Sequence, residues 1–156
     1  MGLRKILTDK EPALHKVCKP VVSFDSKLHK LLDDMRETLI DSNGVGLAAP
    51  QVGILRRVVL VDTGDEILEL INPTMVETDG EQVGPEGCLS VPGKYGLVKR
   101  PYTAKVRAQD RYGEWFEAEG EELIARCFCH ELDHLDGIVY TEKMERFLTE
   151  EELEEL

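Results

Sequence analysis

The chain has no apolar run approaching the roughly 18 residues needed to cross a bilayer, which excludes a membrane-spanning helix. Its opening segment, MGLRKILTDKEPALHK, intersperses charges with single apolar residues and lacks the roughly 7–15-residue apolar core of a secretory signal. Gly2 follows Met1, but Ile6 stands where N-acylation would need Ser or Thr. No export or lipid anchoring is expected, and the expected location is the cytoplasm. Cysteine is scarce, with Cys18, Cys88, Cys127 and Cys129 alone, so a disulfide framework is not expected and the thiols have separate jobs. Basic residues are outnumbered, 19 Lys and Arg against 31 Asp and Glu, for a formal net charge of −12. Such a surface repels phosphate backbones, and no basic stripe with interleaved aromatics offsets it, so direct nucleic-acid binding is not expected.

What is present fits one globular domain. A chain of 156 residues can bury about 68–70% of its unfolded surface around one core. Leu28, Leu31, Leu32, Met35, Leu39 and Ile40 form an apolar stripe at helical spacing, which predicts an amphipathic helix over 26–42. Ser23, Asp25 or Ser26 can cap it, and Asn43-Gly44 stops it. The glycine-rich stretch 44–53, broken by Pro50, reads as a shaped loop. RRVVLVDT (56–63) and EILELINPT (66–74) predict a hairpin across Gly64-Asp65, with a further strand or loop over 76–83. Short strands follow at 95–99, 103–110 and 115–118, the last two turning at Tyr112-Gly113.

From Glu121 the period becomes helical. Leu123, Cys127, His130 and His134 share a stripe, Gly137 supplies the stop, and Thr141 is a candidate cap for a short turn through Phe147. The expected fold is α+β: mixed or antiparallel sheets packed around a central metal-binding helix, with an N-terminal amphipathic helix. Residues 1–147 are read as a single catalytic domain. Residues 148–156 are read as an acidic tail with a frayed helix at most.

The segment HELDH (130–134) carries the chemistry. On a helix, residues four apart share a face, so His130 and His134 can aim nitrogen at one ion while Glu131 lies beside them. Hydrolytic zinc-type sites use three protein ligands, leave a position for water, and need a base nearby. The third ligand is open to choice. A metzincin would place His at the end of HExxHxxGxxH, but that position is Tyr140. A thermolysin-like site would take a downstream Glu, and Glu150 to Glu155 lie in the tail. Cys88 is the better candidate, because Pro85, Gly87 and Pro92 punctuate its surroundings like a fixed loop. Cys127 and Cys129 lie two apart on the predicted helix, point in different directions, and are read as core or shell residues.

Three segments in order, GVGLAAPQ (44–51), EGCLS (86–90) and HELDH (130–134), resemble the signature motifs of the peptide deformylases. VPGKYGLVKRP (91–101) also resembles that family, and the likeness runs from about residue 3 to 147. The resemblance implies Cys88, His130 and His134 as ligands of one divalent metal, natively Fe(II), with Zn, Ni or Co as substitutes. It implies Glu131 as the general base, and Gln51 with the backbone N–H of Leu89 as donors to the oxyanion. Val45, Gly46 and Gly87 would border the substrate, and residues near Arg126 and Cys127 would line the pocket for its first side chain.

The implied reaction removes formyl from N-terminal formyl-methionine of newly synthesised polypeptides and releases formate. Its partners would be N-formylmethionyl nascent peptides, with transient proximity to the ribosome. Cys129 departs from the family, where Gln commonly precedes the HExxH segment, and places an oxidisable thiol beside the site. Two other readings remain at this point: an HExxH metalloprotease or other amidase, and a structural-zinc protein. Three donors plus Glu131 and Gln51 argue against the latter, since structural sites are normally closed by four ligands.

Overall fold

The structure, a computed structural model, describes residues 2–156. Helix α1 spans Ser26–Ser42, the range its apolar stripe predicts. The Asp25 side chain accepts a hydrogen bond from Leu28 N at 3.1 Å, so Asp25 is the cap among the three candidates. Asn43 closes the far end at φ 57°, a left-handed conformation that Asn tolerates better than most residues.

Seven strands follow, then the second helix. They are β1 (Gly46–Ala48), β2 (Val58–Asp62), β3 (Ile67–Asp79), β4 (Gln82–Cys88), β5 (Val91–Arg100), β6 (Thr103–Gln109) and β7 (Trp115–Glu121). The larger sheet has the order β1-β2-β3-β6-β7, and β4 pairs with β5 in a separate ribbon. Every ladder between these strands is antiparallel. Helix α2 spans Leu123–Leu135, and the short α3 spans Glu150–Glu154.

The run VVLV explains how the layers stack. Val59 and Val61 pack into the cluster that holds Ala125, Cys127, Phe128 and Leu135 of α2. Val58 and Leu60, facing the other way, pack with Leu28, Leu31, Leu32, Met35 and Leu39 of α1. A strand covered on both faces has no polar side, so its sequence is continuously apolar instead of alternating. The metal-motif helix thus lies on one face of the sheet and α1 on the other. Each fully buried Leu or Met contributes about 1.5–3 kcal/mol relative to exposure, so α1 is held chiefly by this apolar face.

Four local expectations need correction. The stretch 44–53 is not all loop: Gly46–Ala48 pairs with β2, and Ala49–Val52 forms a 3-10 turn closed by Gly53 at φ 84°. The second strand does not stop at Thr74. It continues to Asp79 because a register shift between Ile71 and Thr74 absorbs Pro73, with Asn72 at φ 52° and its side chain tied to Val21 and Gln109. Cys88 ends a strand and does not sit in a loop, since a two-stranded ribbon has only edges, where Pro85 and Pro92 cost no ladder bond.

Thr141, the fourth case, caps nothing. It lies inside a 3-10 turn over Tyr140–Glu142 whose first backbone N–H groups are met partly by Glu142 bonding Val139 N at 2.8 Å. The acidic segment is also more ordered than a frayed end. Thr149 caps α3, and Arg146 grips Glu152 through two bonds of 2.7 and 2.9 Å.

Candidate active site

Three elements converge where α2 meets the end of β4. Cys88 closes β4, His130 and His134 stand one turn apart on α2, and Gln51 projects from the 3-10 turn after β1. One donor atom from each of Cys88, His130 and His134 lies within 4.8 Å of the others. His130 Nε2 is 3.2 Å from His134 Nε2, which is 3.4 Å from Cys88 Sγ. The imidazole planes stand 80° apart, so their nitrogens meet at a point instead of stacking.

Three donor atoms facing one another at that range need protons or a shared cation between them. The surroundings ask for positive charge as well. Burial alone would lower the His130 pKa, yet Glu131, Cys88 and Glu86 raise it well above the usual value. His134 is held well below its usual value, by burial first and by His130 second, which keeps its lone pair free. One thiolate and two imidazoles suit a borderline-soft divalent ion, and the residues present therefore fit one.

Beneath His130 lies a buried ionic cluster. His130 Nδ1 is 2.6 Å from Glu86 Oε2, and a hydrogen bond there presents Nε2 to the site. Arg100 grips both oxygens of Glu86 through Nε (3.0 Å) and Nη2 (2.6 Å), and Arg126 Nη1 adds a third contact at 3.0 Å. Burial alone would raise the Glu86 carboxyl, but the hydrogen bonds from His130 and Arg100 hold it well below the usual carboxylate range. Arg100 reaches on to Asp133 of α2 at 2.8 Å. The Tyr140 ring lies under His130 at 6.1 Å between centroids and 29° between planes, so the position that would carry a third histidine in a metzincin carries a buttress.

Glu131 differs from Glu86. It is buried, its Oε1 has no hydrogen-bond partner, and its Oε2 is 4.0 Å from His130 Nε2. Burial pushes its carboxyl up to about 7. A buried carboxyl with one oxygen unbonded and a pKa raised toward neutrality is the environment of a proton carrier.

These groups face a cavity of about 430 Å³, bordered by Val45, Gly87, Leu89, Tyr95, Leu123 and Cys127, with Gln51, Cys88, His130 and Glu131 also lining it. Gly46 lines it too, and it cannot carry a side chain: a Cβ there would lie 2.5 Å from Glu131 Oε2 and 2.7 Å from Cys127 Sγ. At Gly87 a Cβ would lie 2.6 Å from the Tyr95 ring. Every residue that the family resemblance assigns to the site except His134 lines this cavity, and His134 lies behind it with its Nε2 on His130 and Cys88.

Sequence reasoning missed the role of Glu86, Arg100 and Tyr140. Glu86 stood inside the EGCLS segment, so its proximity to Cys88 was the available signal. All four cysteines are free. Cys129 is half-buried and its thiol is pushed up, first by burial, which leaves it less thiolate for oxidation than its place in the sequence suggests.

An HExxH helix, a convergent Cys-His-His donor set and a buried near-neutral glutamate define the class of metal-dependent hydrolases. A family model described as polypeptide deformylase matches residues 3–150. A peptide deformylase of Caldicellulosiruptor bescii is 51% identical over 155 residues, covering 99% of this chain and 93% of that one. The crystal structure of a peptide deformylase from Legionella pneumophila superposes with a TM-score of 0.89 at 42% identity, covering 92% of this chain and 86% of that one. Another, from Synechococcus elongatus in complex with actinonin, gives 0.89 at 34% identity, covering 99% and 84%. The chain belongs to the polypeptide deformylase family.

Proposed function

We propose that the chain hydrolyses the formyl amide of N-terminal formyl-methionine on newly synthesised polypeptides, giving formate and a free α-amine. The observation that carries this is the buried Glu131 carboxyl, one oxygen of it unbonded, beside the convergent Cys88, His130 and His134 donors. In this reading those three residues hold one divalent metal, Fe(II) natively, with Zn, Ni or Co able to replace it. When bound, the ion supplies Lewis acidity, which can lower the pKa of water from about 15.7 toward 7.

Glu131 takes a proton from the attacking water and later delivers it to the departing amine, and its carboxyl near 7 suits both directions. The Gln51 amide and the backbone N–H of Leu89 donate to the oxyanion as charge develops on the formyl oxygen. Gly46 and Gly87 let an extended peptide approach the backbone closely, and Val45 walls its path. Arg126 and Cys127 border the pocket for the first side chain.

In this reading the enzyme meets its substrates at the cytoplasmic site of protein synthesis, in transient proximity to the ribosome and without nucleic-acid contact of its own. The catalytic domain is assigned to residues 1–147, with 148–156 as an appendage.

The test compares formyl-Met-Ala with acetyl-Met-Ala peptide. Formate release from the first and no turnover of the second is expected in this reading, because acetyl places a methyl group where formyl carries only hydrogen. Glu131→Ala should slow turnover by about 10²–10⁴-fold without lowering the melting temperature, since it removes a buried carboxyl that has an unpaired oxygen. Full activity in that variant, or equal cleavage of the acetyl peptide, would sink the reading.

A further inference from the structure

The Gln51 amide has two hydrogens, and the structure spends both. Its orientation is fixed at the oxygen end, where Oε1 accepts from Ala48 N at 2.9 Å. At the nitrogen end, Nε2 donates one hydrogen to Ser90 Oγ at 3.1 Å and directs the other toward Cys88 Sγ at 3.5 Å. Sulfur is a weak acceptor, so the second hydrogen is the loosely held one. Ser90 is fully buried and its backbone is pinned, its carbonyl accepting from Asp9 N at 2.9 Å and its own N–H directed at Cys88 Sγ at 3.4 Å.

We propose that Ser90 is a positioning residue that locks one hydrogen of the Gln51 amide, so that the other rests on the Cys88 sulfur and passes to the substrate oxyanion as charge develops there. The inference rests on the assignment of Gln51 as oxyanion donor. Two anchors, Ala48 N–H on the oxygen and Ser90 Oγ on the nitrogen, hold the amide plane at both ends. With only the first, the plane rocks about Oε1 and the inward hydrogen loses its aim. Exchanging a weak N–H···S contact for a bond to a developing anion strengthens an interaction only in the transition state, which is the condition for raising turnover instead of binding. The same move removes one of two N–H groups that draw charge from the sulfur.

Ser90→Ala is expected to lower kcat about ten-fold, below the roughly 10²–10³ lost when an oxyanion donor is removed outright, with KM within about two-fold. Ser90→Thr, which keeps the hydroxyl, should recover most of the loss. The readout independent of turnover is side-chain amide exchange at Gln51 in ¹⁵N-labelled protein. The two hydrogens should be inequivalent and slow to exchange in wild type, and at least ten-fold faster in Ser90→Ala. If wild type releases formate but Ser90→Ala keeps both its kcat and its slow Gln51 exchange, the proposal is overturned and the deformylase reading stands. If wild type releases no formate, that reading fails, and the exchange data still decide whether Ser90 locks the amide. Should Ser90→Ala not fold, fast exchange of both Gln51 hydrogens in wild type would overturn the proposal, and slow exchange in wild type and Ser90→Thr would support it.

Discussion

Helices α1 and α2 lie on opposite faces of one sheet and use burial differently. The inward face of α1 is mostly leucine and methionine, and its polar members are Asp34 and Thr38, tied to Arg4. The inward face of α2 carries Arg126, His130, Glu131 and His134 among its apolar residues. Local signals follow the same division. Asp25 caps α1 and Asn43 ends it, whereas α2 starts at Glu122 with φ 54° and no side-chain cap. A helix that only has to hold the sheet can be closed at both ends by its own flanking residues. One that must present two imidazoles and a near-neutral glutamate begins without such a cap, and its cost is met by charges brought from elsewhere: Glu86 from β4 and Arg100 from β5.

The sharpest way to break this contrast is to remove the charge under α2. Glu86→Ala leaves Arg100 and Arg126 buried without their shared carboxylate and frees His130 Nδ1. Stripping one partner from a buried ionic group costs about 3–5 kcal/mol, and losing the group that orients a metal-bound histidine costs about 10–100-fold in metal affinity. For a domain of this size that is a drop of roughly 10 °C in melting temperature. Thermal unfolding and competition with a chelator measure both. If Glu86→Ala retains the ion as tightly as wild type, the two helices do not divide labour in this way.

Leu32→Ala makes the complementary cut. Leu32 is fully buried in the cluster that joins α1 to Val58 and Leu60. The cavity should cost about 2–5 kcal/mol, similar to Glu86→Ala, while kcat and metal affinity stay within two-fold. The two variants together separate stability from function. Equal damage to metal affinity in both would mean that the sheet transmits α1 packing to the site.

The same contrast explains what the sequence made legible. Helix α1 could be read to the residue, because a 3.6-residue apolar stripe and a capping Asp are local signals. The HELDH register was local too, so the placement of both histidines on one face of α2 followed. The partners of Glu86 were not legible: Arg100 is 14 residues away and Arg126 is 40, and no period links them. Pro85 and Pro92 misled for a related reason. Proline reads as a strand breaker unless the chain is known to be at a bulge or an edge, and both are tertiary facts.

The smallest expected effect lies on the α1 side and depends on pH. Glu69 of β3 accepts from Arg111 at 2.9 and 2.6 Å and from Arg36 of α1 at 3.1 Å, so it ties the helix to the sheet from outside the core. Burial alone would raise its carboxyl, but the bonds from Arg111 and Arg36 outweigh that and hold it below its usual value of 4.5. A carboxylate whose folded pKa is depressed contributes stability above its unfolded pKa and loses it as pH falls through the folded one. Because Arg36 and Arg111 are partly in solvent, the contribution is about 1 kcal/mol or less. The stability difference between wild type and Glu69→Gln should therefore be constant from neutral pH down to about 5 and shrink as pH is lowered further. Turnover and metal affinity at neutral pH should be the same in both proteins. A difference that persists undiminished near pH 3 would show that Glu69 acts through packing and not through its charge, and α1 would then owe nothing to ionic contacts with the sheet.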